Sequence, residues 1–192
     1  MSAGTLVLSG ALIFAAIIGI ILLRSNHRYD LAASDNFAGD PLAINPGNAI
    51  SINGGEDWLW VCGDLIVESS HTWTRHTLDD TIPRWICVEG VGDKITITLW
   101  TSVPSVFVQA DRGNVIYNGV TYTLEHHGRG RYSSIGATQP PSAGEVEYMN
   151  FEGEAQGKAV FFSSERFDDG DWVHSVGHIL PEQLLITNPP VT

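Results

Sequence analysis

Seven histidines, two cysteines and 22 acidic side chains are the groups in this sequence that could do chemistry. One short run gathers potential positive charge, His126-His-Gly-Arg-Gly-Arg131. Read as a glycine-rich basic turn, it could hold a phosphate or an acidic partner through Arg129 and Arg131, with His126 and His127 beside them. Its plainer reading is a solvated hairpin loop. His174 and His178 have the i, i+4 spacing of a helical zinc pair. Ser175, Val176 and Gly177 between them predict a strand and turn, without the carboxylate base of an HExxH helix. His71 and His76 face opposite ways on a regular strand. No metal site is therefore expected.

The acidic turns at Asp79-Asp80 and at Asp168, Asp169 and Asp171 lack the spacing and terminal Glu of a calcium loop. They read as solubilising turn tips. No GxSxG, P-loop or dinucleotide GxGxxG occurs, and Ser133-Ser134 has no visible His and Asp partners. Glu145 and Glu147 share one strand face, as many solvated strand edges do. No catalytic constellation and no cofactor are expected, and the chain is read as a non-enzyme. Cys62 and Cys87 sit in apolar runs with no CxxC partner and read as buried free thiols. Their pairing becomes plausible only if the domain is exported. Tryptophans 58, 60, 73, 85, 100 and 172 read as core and cross-strand pairs, with Trp58 and Trp60 pointing the same way on one strand.

These groups need elements to place them. From Gly4 to Leu23 no residue is charged and most are Leu, Ile, Val, Ala or Phe. About twenty residues at about 1.5 Å each match the bilayer's hydrocarbon thickness, which predicts one transmembrane helix as the contact with the membrane. A cleaved signal would have a basic start and a shorter apolar stretch. Arg24 and Arg28 follow the run and predict a soluble domain on the cytoplasmic side. Beyond residue 28 lie eight bases against 22 acids, a balance of −14. That acidity excludes general nucleic-acid binding, which needs clustered Lys and Arg.

After Ala43 the chain alternates in short bursts between turn residues, and nothing holds a helical period over ten residues. Asn53-Gly54 and Asn118-Gly119 predict two tight hairpins, from Ala49–Ile52 into Trp58–Cys62 and from Val115–Tyr117 into Val120–Leu124. The halves also echo each other. Asn48-Ala-Ile-Ser-Ile-Asn-Gly resembles Asn114-Val-Ile-Tyr-Asn-Gly, and Trp85–Glu89 with Ile95–Trp100 can be laid over Phe161–Glu165 with Trp172–Val176. The expected fold is mainly β: the N-terminal helix and basic stop (1–28), a flexible tether (29–43), two tandem small antiparallel β modules (44–104 and 105–188), barrel-like or meander, and a tail (189–192). One continuous barrel remains the alternative.

The run His71-Thr-Trp-Thr-Arg-His-Thr-Leu-Asp-Asp, then Arg84-Trp-Ile-Cys-Val-Glu89 and Thr98-Leu-Trp100, resembles the core of the domain of unknown function 4178 family. Gly119-Val-Thr-Tyr122, Arg131-Tyr132, Glu147-Tyr148 and Ser164-Glu165-Arg-Phe-Asp are similar to the same family. Actinobacterial members resemble the chain throughout, with a membrane helix and an acidic β-rich domain. The resemblance implies no established activity and carries over no catalytic residue. Its members are often encoded beside small membrane proteins and proteins resembling polyamine-making aminopropyl transferases. The functional expectation is a membrane-anchored protein whose β domain is an interaction or adaptor module with a protein partner in an envelope-associated system. A module that binds a cationic metabolite such as a polyamine is the alternative, and an enzyme of polyamine or lipid metabolism comes third.

Overall fold

Turn and strand chemistry set the architecture from Asp40 onward. The computed structural model describes residues 40–52, 58–91, 94–105, 109–111, 113–140, 142–180 and 186–188. A short 3-10 helix, Pro41–Ala43, starts at Asp40, whose carboxylate accepts the Leu42 N–H at 2.9 Å. Twelve strands follow: β1 (Ala49–Ser51), β2 (Trp58–Glu68), β3 (Thr72–Leu78), β4 (Arg84–Val91), β5 (Lys94–Val103), β6 (Gln109–Asp111), β7 (Asn114–Tyr117), β8 (Val120–Gly136), β9 (Ala143–Ala155), β10 (Lys158–Phe167), β11 (Trp172–Leu180) and β12 (Ile186–Asn188).

The two expected hairpins form with different connections. Tyr117 pairs with Val120, and Asn118 and Gly119 take φ of 49° and 78°, the positive pair that a two-residue turn requires. Ser51 pairs with Trp58, so six residues, Ile52 to Asp57, connect β1 to β2 and Asn53-Gly54 is only part of that connection.

The expectation of two tandem modules is corrected by the pairing. The sheet runs β2-β3-β4-β5-β11-β10-β9-β8, and β8 pairs back onto β2, closing an eight-stranded antiparallel barrel. Each half supplies one meander, β2 to β5 and β8 to β11, and the seams join equivalent strands, β5 to β11 and β2 to β8. After its last barrel strand each half sends a short strand to the first strand of the other half: β6 pairs with β7, and β12 pairs with β1. The repeat in the sequence is thus a pseudo-two-fold within one barrel. Closure hides the strand edges that separate four-stranded modules would expose.

The expected transmembrane helix has no counterpart among the described residues. Among the described residues no helix is long and apolar enough to cross a membrane. The run Gly4–Leu23, on which that expectation rests, lies outside the described residues.

Alternation along the strands divides the side chains between the inside and outside of the barrel. Outside, Leu78, Ile86, Ile97, Leu99 and Leu180 bury against Ile44, Ile50 and Ile52 from the segment before β2. On the second half Val115 and Tyr117 cover Phe151, Phe162 and Val176 in the same way. Inside lie Leu65, Val67, Tyr132 and Val146, with Trp73 and Phe167 against them. Arg75 on β3 is ion-paired with Glu165 on β10, and both are buried. Those strands are not neighbours, so this contact crosses the barrel interior.

Candidate interaction surface

The run His126–Arg131 is not a turn. It lies within β8, paired residue by residue with β9 and, from Arg131 onward, with β2. Two glycines in a row of histidines and arginines read as a loop from sequence, yet both fill close approaches. A Cβ at Gly128 would stand 2.7 Å from the Tyr148 hydroxyl, and one at Gly130 would stand 2.5 Å from the Glu68 carbonyl oxygen. Strand alternation then parts the four predicted residues. His127, Arg129 and Arg131 face outward and exposed, while His126 turns to the opposite face.

Outside, Arg129 lies opposite Glu147 on β9, and Glu147 lies opposite Arg166 on β10. The Arg166 Nη2 donates to Glu147 Oε2 at 2.5 Å, and Arg129 Nη2 stands 3.6 Å from Oε1. The hydrogen bond from Arg166, with both positive charges, holds the Glu147 carboxyl below its usual range. Next along the row, the Arg166 guanidinium lies 5.3 Å over the Trp172 ring. Arg131 faces the same way, opposite Glu145.

The β10–β11 turn closes one side of this row. Asp168, at φ 50°, accepts the Glu145 N–H at 2.9 Å and the Tyr132 hydroxyl at 2.8 Å, and these bonds hold its carboxyl low. Arg129, Glu145, Glu147, Arg166, Asp168 and Asp169 line a shallow recess of about 260 Å³. It is a strip of alternating charge, open to solvent and suited to holding a charged chain.

On the inner side, His126 Nε2 lies 3.3 Å from the Tyr148 hydroxyl, and Tyr148 lies 2.8 Å from Ser69 Oγ in the β2–β3 turn. The Tyr148 ring meets Trp73 edge-on at 5.2 Å, and His71 lies 4.9 Å from Trp73 and 6.5 Å from His126. Burial pulls the His71 and His126 imidazoles below their usual value, and His71 is lowered further by His126.

The remaining histidines are dispersed. His76 Nδ1 lies 2.8 Å from Asp64 Oδ1, both buried, and His174 Nδ1 lies 2.8 Å from Ser164 Oγ. Among the described residues no group of three His, Cys, Asp or Glu is placed to hold a metal ion. Cys62 and Cys87 are free thiols, and Cys87 is buried. Trp85 and Trp100 stack across β4 and β5, whereas Trp58 and Trp60 are both exposed. Trp172 was legible in the sequence only as one of the core tryptophans, and neither Arg166 nor the bridging role of Glu147 carried a local signal. Period-two spacing of His127, Arg129 and Arg131 was a signal for the strand, but their neighbours follow only from strand pairing.

Comparison with known proteins adds kinship. The family described as "Domain of unknown function (DUF4178)" matches residues 45–182. Uncharacterised proteins of Mycobacterium tuberculosis and Mycobacterium bovis are each 28% identical over 204 residues, covering 97% of this chain and 97% of the relative. No solved structure matches the chain.

Proposed function

The chain belongs to the DUF4178 family, and we propose that its barrel is a protein-interaction module that docks an acidic segment of a partner on the arginine strip of β8 and β10. The observation that carries the reading is the convergence of Arg129, Arg131 and Arg166 on one face of a chain with 22 acids and 10 bases. The arginines alternate with Glu145 and Glu147 along the strip, and Arg129 and Arg131 are exposed. Exposed arginines on paired strands present planar donors in a fixed row, which suits carboxylates better than lysines would. The adaptor role in an envelope-associated system, with the barrel on the cytoplasmic side, is supported by the uncharged run Gly4–Leu23 and by Arg24 and Arg28.

Cross-linking and purification of the full chain, beside Arg129→Ser/Arg131→Ser, tests the proposal. A partner held by the native chain should be lost or weakened in the variant. Unchanged capture rejects the strip as the docking site.

A second reading is favoured by the four carboxylates of the recess, Glu145, Glu147, Asp168 and Asp169. Their field would collect a cationic metabolite such as a polyamine. Spermidine should then raise the melting temperature of the chain in a salt-dependent way. No shift at low salt removes this reading.

A further inference from the structure

We infer that Glu147 is a resident stand-in for the partner's carboxylate: an Asp or Glu side chain of the docking segment takes its place between Arg129 and Arg166. The inference rests on the acidic-partner reading above and specifies how that site is filled.

Two guanidiniums with five N–H donors each converge on one carboxylate. The pairing is uneven. Arg166 holds Oε2 at 2.5 Å, while the Arg129 Nη2 stands 3.6 Å from Oε1, beyond hydrogen-bond length, on a side chain that is 78% exposed. The Nε of Arg166 is buried with no hydrogen-bond partner. The clamp therefore has donors in excess of the acceptors Glu147 supplies, one of them shielded from water. A partner carboxylate can bind a guanidinium through both oxygens, the geometry that best uses such a fork. The Trp172 ring lies beneath that fork, its centroid 5.3 Å from the guanidinium carbon.

Displacement is feasible because Glu147 lies on the outer face with a third of its side chain exposed. Rotation returns its carboxylate to water. Asp168 is not a competing stand-in, since its two oxygens are committed to the Glu145 N–H and the Tyr132 hydroxyl. Asp169, exposed at the rim, sets a cost on crowding several charges into the recess together. The fitting segment presents one acid to the clamp and spaces the others along β8 toward Arg131.

The test is fluorescence anisotropy of a labelled oligoglutamate peptide with the full chain at low salt. Glu147→Gln keeps the shape and removes the competing charge, so it should bind the peptide about two- to fivefold more tightly than the native chain. Glu147→Gln combined with Arg129→Ser should lose that gain. Melting curves of each variant confirm that the barrel is intact. Peptide binding that is equal or weaker in Glu147→Gln overturns the stand-in and leaves the docking strip in place. No binding by either protein, or tighter binding of oligolysine, overturns both.

Discussion

Arg75 on β3 and Glu165 on β10 reach each other across the inside of the barrel and join the two halves of the repeat by charge. The guanidinium also lies 5.2 Å from the Trp85 ring and 6.0 Å from Phe167. Burial pulls the Arg75 pKa down to about 10, the mark of a charge taken out of water. Such a pair stabilises little against an apolar equivalent, but each partner is costly to leave alone. Glu165→Gln or Arg75→Met alone should lower the unfolding free energy by about 3–5 kcal/mol in urea melts. Replacing both with apolar residues of similar volume should recover most of that loss. A single variant of native stability would show that the pair does not bridge the barrel.

The two thiols should be silent in the folded protein. Burial pushes the Cys87 thiol up to about 12 and raises that of Cys62, which contacts the carbonyls of Thr77 at 3.4 Å and Ala137 at 3.3 Å. Because the thiolate is the reactive form, a mild alkylating reagent near pH 8 should modify neither residue in buffer and both in denaturant. Rapid modification of Cys87 in buffer would contradict its place in the barrel.

Glycines on β8 and β11 mark close approach. Gly130→Ala places a methyl against the Glu68 carbonyl, and Gly177→Ala places one 2.8 Å from the Trp100 ring at the β5–β11 seam. Each should cost about 1–3 kcal/mol of stability, as overpacking does. A flexible basic loop would tolerate Gly130→Ala, so native stability of that variant would restore the loop reading.

Acid should destabilise the barrel in a defined window. Burial lowers the affinity of His71, His126, His174 and His178 for protons, with added repulsion from His126 on His71, His127 on His126 and Lys158 on His178. The unfolded chain recovers the ordinary value near 6.5 and binds protons first as pH falls. The stability from these groups is present above about pH 6.5 and is lost below it. Asp80, held low by Arg84 and Thr81, adds loss of the same sign further down, below about pH 4. Glu89, raised by burial, acts in the opposite sense at higher pH, above its ordinary value of about 4.5. The melting temperature should fall between about pH 7 and 5, less steeply in His126→Gln. A flat or rising midpoint over that range contradicts the burial of these imidazoles.

Strand content, the Asn118-Gly119 turn and the repeat were legible because each is written in neighbouring residues. Closure was not, since the β2–β8 and β5–β11 seams join residues far apart in sequence. Trp58 and Trp60 were placed on one side of a strand by spacing alone, and both are exposed. The basic run misled because glycine is ambiguous in sequence. Gly128 and Gly130 look like turn formers until Tyr148 and Glu68 are seen to leave no room for a side chain. Glu147 and Arg166 belong to the strip through cross-strand register, which no local pattern encodes.

The most direct measurement places a photo-crosslinking residue at His127, on the exposed strip, and another at Ile82, an exposed position in the β3–β4 connection, in the full chain. Adducts from position 127 should map to an Asp- and Glu-rich segment of a partner and disappear in Arg129→Ser/Arg131→Ser. Adducts that persist in that variant, or that form equally from position 82, would contradict docking on the strip.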